Sequence, residues 1–117
     1  MYRVRNMTRQ MILADRVEQA NRLWPRMKGL LGRSNLPEGH GLWISHCNSI
    51  HTWFMRFPID VVFVSSDQRV VRLLEQVSPF RMTRPSLSAR SVLELAAGTL
   101  ARRLTHVGDQ LSLEMFS

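Results

Sequence analysis

The chain has 117 residues, 44% hydrophobic and 21% charged, proportions that place it as one globular domain spanning 1–117 with a core of its own. No apolar run exceeds four residues, Val61–Val64 being one, whereas a membrane span needs about 20. Sixteen basic residues against nine acidic give a net charge of +7, carried almost wholly by arginine, whose planar fork suits phosphate, carboxylate and aromatic partners.

In chain order, Tyr2–Asn6 and Met11–Ala20 read as strands, the second poorly alternating; Asp15 with Glu18 is the competing helix-cap reading. Asn21 is placed to cap a short helix running to Leu31, with Pro25 near its first turn, where proline is best tolerated. Leu36-Pro37-Glu38-Gly39 is turn chemistry. Leu42–Ser45, Ile50–Met55 and Asp60–Ser65 are rich in β-branched and aromatic residues and too short for helices. Val61-Val62-Phe63-Val64 does not alternate, which predicts a strand covered on both faces.

Ser66-Asp67-Gln68 then reads as a hairpin turn into a strand over Arg69–Val77, and Pro79 to Pro85 as a basic loop. Ser91–Ala96 is another strand, and Thr99–Leu104 a short helix opened by Gly98, with Gly108 as its C′ residue. Gln110–Met115 is the last strand. The expected fold is α+β but mostly β: a small barrel- or sandwich-like domain of about seven or eight short strands with two short helices. Val61, Phe63, Val92 and Leu95 are its expected core.

The chemistry gathers in Gly41–Val64, which holds the only cysteine, two of the four histidines and two of the three tryptophans. Cys47 and His51 are the candidate catalytic pair, a nucleophile and its base. Four residues along a straight strand would hold them roughly 13 Å apart, so the pair requires Asn48-Ser49 to fold the chain back. A metal site from His46, Cys47, His51 and Met55 is short of ligands, and neighbours on a strand point to opposite faces, so no metal and no cofactor is expected. Arg56 and Asp60 bracket a proline-containing bend, either as an ion pair or with Arg56 as an anion handle. Glu94 interrupts an apolar strand; a buried carboxylate is costly unless paired, so backbone amides or an arginine, Arg33 or Arg56, should stand beside it.

Compartment and partner follow from composition. A single cysteine forms no internal disulfide, and the charged N-terminal stretch shows no apolar export segment, so the expected location is cytoplasmic. Lys28 is the only lysine, and the arginines are dispersed from Arg3, Arg5 and Arg9 to Arg102–Arg103. A nucleic-acid surface would cluster them, so nucleic acid is disfavoured as the main partner.

Three ordered passages carry a family resemblance: Gly29-Leu30-Leu31-Gly32-Arg33; Gly41-Leu42-Trp43-Ile44 leading through Cys47 to Phe54-Met55-Arg56-Phe57-Pro58-Ile59-Asp60; and Val92-Leu93-Glu94-Leu95 with Gly98 and Gly108-Asp109. The chain resembles the domain-of-unknown-function family 192 over nearly its whole length. The resemblance implies a compact, mostly β domain with short helices and brings no assigned biochemical role. The best functional expectation is a small non-enzymatic binding module for a partner protein or an anionic small ligand, using Arg33, Arg56, Asp60 and Glu94. The alternatives are a thiol-dependent enzyme using Cys47 and His51, and nucleic-acid binding through the dispersed arginines.

Overall fold

The computed structural model describes residues 1–21, 35–52 and 55–116. Seven strands are present there: β1 (Tyr2–Asn6), β2 (Met11–Asn21), β3 (His40–Ser45), β4 (Ile59–Val64), β5 (Val70–Val77), β6 (Ser91–Ala96) and β7 (Leu111–Met115). One four-residue helix, α1 (Thr99–Arg102), lies between β6 and β7. The strands form a single sheet in the order β5-β4-β6-β3-β2-β1-β7. β2 and β3 run parallel, and every other neighbouring pair is antiparallel.

The sheet curls until its two edges meet at one end. Arg69 bridges Gln110, the Val70 amide donates to the Asp109 carbonyl, and the Gly108 amide donates to the Val70 carbonyl. Curling encloses one face, and the first core fills it: Val4, Leu13, Val17, Trp43, Val62, Val64, Leu93, Leu95 and Leu111 from the strands, with Leu100 from α1. The opposite face of β3, β6 and β4 carries a second core of Leu42, Ile44, Val61, Phe63 and Val92. Ile50 and Met55, from the connection between β3 and β4, pack over it. All six residues of β4 are buried, as its lack of alternation predicts, because successive side chains enter different cores.

Several expectations change. Asn21 ends β2 instead of capping a helix, and the rest of the helix expected to Leu31 lies outside the described residues. Among the described residues there is therefore one helix, which stops at Arg102 instead of Leu104. Gly108 is not its C′ residue; with φ +97° it turns the chain toward β7. Of the strand expected over Ile50–Met55, the described part shows only an isolated bridge from His51 to Met82. Its hydrogen bonds go sideways: the Ile50 amide donates to Thr83 Oγ1, and the Thr52 hydroxyl to the Ser78 carbonyl. Its β-forming residues instead supply Ile50 and Met55 to the second core. Among the described residues, no helix is long and apolar enough to cross a membrane.

Gly108-Asp109 locks the turn before β7. Asp109 is 3% exposed, and its Oδ2 accepts from Asn6 Nδ2 at 2.9 Å, Arg9 Nε at 2.7 Å and the His106 amide at 2.9 Å. Burial alone would raise the Asp109 carboxyl, but the donors from Arg9, Asn6 and His106 outweigh it and hold the carboxyl below its ordinary value. Asp109→Ala should cost about 1–2 kcal/mol in a denaturant titration, because Arg9 is half in solvent and water can reach part of the gap. A loss below about 0.3 kcal/mol would mean the turn does not depend on this carboxylate.

Candidate functional site

The register of the sheet separates the residues that the sequence grouped together. Glu94 faces Leu42 of β3 and Val61 of β4, so it stands on the outer face, inside the second core. Asp60 faces Leu95, so it stands on the inner face with the first core. Because paired residues share a face and neighbours along a strand do not, Asp60 and Glu94 lie on opposite sides of the sheet.

Asp60 is fully buried and its carboxylate is satisfied by backbone. Oδ1 accepts from the Gln76 amide at 2.8 Å and Oδ2 from the Leu100 amide at 2.9 Å. The first contact pins an irregularity in β5, where the register shifts between Ile59 and Val61 and Gln76 takes φ +51°. The second serves the first turn of α1, whose own N-cap residue is Gly98 and makes no side-chain cap. Arg56 lies at the surface, apart from this arrangement, so the bracketing Arg56–Asp60 pair does not form.

Glu94 is the opposite case. It is 6% exposed, and among the described residues no hydrogen bond or ion pair reaches its carboxyl, so neither the expected amides nor Arg56 stands beside it. Arg33 lies outside the described residues. Burial pushes the Glu94 carboxyl up to about 7. Backbone at this point is tightly packed: a Cβ on Gly41 would come within 3.0 Å of the Glu94 carbonyl oxygen, which accounts for glycine at that position of β3.

The chain turns at His46, which takes φ +55°, and bends again at Asn48, between Cys47 and His51. The bend turns the thiol inward: Cys47 is 3% exposed and its Sγ donates to the Ser49 carbonyl at 2.9 Å. His51 is exposed. A depression of about 320 Å³ is lined by His46, Cys47, Asn48, Ala89 and Arg90, and His51 does not contribute to it.

A second surface groove lies where sequence reading saw only a basic loop. β5 and the chain after it enclose a groove of about 380 Å³ whose lining includes Arg72, Arg81 and Arg84 together with Gln76, Ser78 and Thr83, and no carboxylate. Arg72 is fixed in place: its guanidinium carbon stands 5.2 Å from the centroid of the Phe63 ring, and Nη1 donates to the Arg84 carbonyl at 3.1 Å. Among the described residues, no carboxylate pairs with any of these three arginines. The available signal in the sequence was the absence of any Asp or Glu between Glu75 and Glu94, while arginine recurs at Arg81, Arg84 and Arg90.

The model of the domain-of-unknown-function family 192, described as an uncharacterized ACR, matches residues 4–113. A UPF0127 protein of Thermococcus sibiricus is 29% identical over 94% of this chain and 73% of its own length. A UPF0127 protein of Pyrococcus furiosus is 36% identical over 54% of this chain and 53% of its own. Among solved structures, a protein of Sinorhizobium meliloti provisionally assigned as a transcription regulator superposes with a TM-score of 0.79 at 25% identity, over 96% of this chain and 91% of that one. A protein of unknown function from Novosphingobium aromaticivorans gives 0.77 at 23% identity, over 95% and 82%, and is a likeness of fold alone.

Proposed function

The chain belongs to the domain-of-unknown-function family 192, and for it we propose a non-enzymatic binding module that holds an anionic small ligand in the groove of Arg72, Arg81 and Arg84. The observation that carries this reading is that three arginines line one groove with no carboxylate in its lining. Unpaired guanidiniums that repel one another are stabilised by an anion, and the planar fork bonds phosphate or carboxylate oxygens in pairs. Arg72 is preorganised by Phe63 and the Arg84 carbonyl, which lowers the ordering cost of binding. Gln76, Ser78 and Thr83 supply neutral polar groups at the same wall.

A thiol enzyme built on Cys47 and His51 has less support, since the thiol is buried against the Ser49 carbonyl while the imidazole stands at the surface. The Sinorhizobium meliloti protein's provisional assignment would make the anion a nucleic-acid phosphate, but here arginines are also scattered far from the groove, from Arg3 to Arg102. Calorimetric titration with inorganic pyrophosphate tests the proposal. Wild type should bind, and Arg81→Gln with Arg84→Gln should weaken binding by at least about tenfold, with affinity falling as salt rises. Equal affinity in wild type and double variant, or no binding to either, would sink it.

A further inference from the structure

The chain that forms one wall of the groove also carries the most exposed apolar side chains near it. Met82 is 71% exposed, Leu87 92% and Phe80 58%, and the exposed Arg81, Arg84 and Arg90 alternate with them along residues 78–90. This exposure is built in by hydrogen bonds that strap the segment to residues 48–52. The Thr52 hydroxyl donates to the Ser78 carbonyl, and the Arg81 and Phe80 amides donate to Thr52 Oγ1 and to its carbonyl. The Thr83 amide donates to the Ile50 carbonyl, the Ser86 amide to the Asn48 carbonyl, and the Ala89 amide closes the turn that carries Leu87. Phe80 is held at φ +62°, a backbone conformation that bulky residues rarely adopt. The segment therefore cannot relax to bury Met82 or Leu87 without giving up this ladder.

We propose that residues 78–90 dock on the surface of an anionic lipid bilayer, Met82 and Leu87 entering the headgroup–acyl boundary while Arg81 and Arg84 take lipid phosphates. This deepens the anion-binding reading and rests on it: the phosphate in the groove is that of a lipid headgroup. The match is one of charge and polarity together. A stretch free of carboxylates from Gln76 to Leu93 meets a negative surface without repulsion, and each arginine near such a surface adds roughly fivefold to binding. A nucleic acid would satisfy the arginines but leave Met82 and Leu87 in water, whereas a bilayer interface has a place for both.

The test is sedimentation with vesicles of phosphatidylcholine alone and with about 30% phosphatidylserine, beside the pyrophosphate titration and a DNA duplex. Wild type should sediment with the anionic vesicles only. Leu87→Ser should lose at least about tenfold in vesicle binding while keeping its pyrophosphate affinity, because Leu87 is 92% exposed and, unlike Met82, does not line the groove. Wild type that binds pyrophosphate but no vesicles would overturn the bilayer inference and leave the groove reading standing; binding of neither would end both. Vesicle binding unchanged in Leu87→Ser, or a steeply salt-dependent preference for the duplex, would also overturn it.

Discussion

Asp60→Ala should destabilise the protein by about 3–5 kcal/mol, because each hydrogen bond to a buried charge contributes about 1.5–3 kcal/mol and two are lost together. The variant leaves the part-buried Gln76 amide and the buried Leu100 amide without their acceptor. Both matter beyond their own energy. The Gln76 contact fixes the bend of the edge strand β5, whose next residues begin one wall of the arginine groove. The Leu100 contact starts α1, which places Leu100 in the first core. Asp60→Asn keeps one carbonyl oxygen as an acceptor and should lose clearly less than Asp60→Ala. Urea titration of the two variants decides the matter: a loss below about 1 kcal/mol for Asp60→Ala would mean other groups satisfy those amides.

The chain order of strands was legible because each carries a local signal. Val61–Val64 announces double coverage by failing to alternate, and Ser66-Asp67-Gln68 announces the turn into β5. The pairing of strands carries no such local signal, and the site depended on it. Only the register, Asp60 with Leu95 and Glu94 with Val61, reveals that the two carboxylates lie on different faces. Nor could local composition show that Ile50 and Thr52 would spend their hydrogen bonds on Thr83, Ser78 and Arg81 instead of on a strand neighbour. The arginine groove was half legible: the basic loop stands out, but Arg72 joins it from β5 only through the fold.

Glu94 should make the protein less stable as pH rises across the neutral range, the reverse of what a paired carboxylate does. An unfolded chain releases this proton near 4.5, whereas the folded chain keeps it to about 7. Between those values the folded state binds more protons, so the contribution is fully present below 4.5 and is lost as pH passes 7. One proton over that interval corresponds to about 3 kcal/mol, using about 1.4 kcal/mol for each pH unit. Glu94→Gln removes the ionisation while nearly preserving shape, so its stability should lack this slope. It should match wild type at about pH 4 and below and exceed it by about 3 kcal/mol near pH 8. Denaturant titrations of both proteins at several pH values measure the difference directly. A Gln variant that is less stable than wild type near pH 8 would show that a cation compensates the charge, and would return Glu94 to a structural role. The expected outcome is a fold that is weaker for keeping a carboxyl among Leu42, Val61, Val92 and Ala96. Stability forgone at a single buried position is what a polar site inside a β domain would cost.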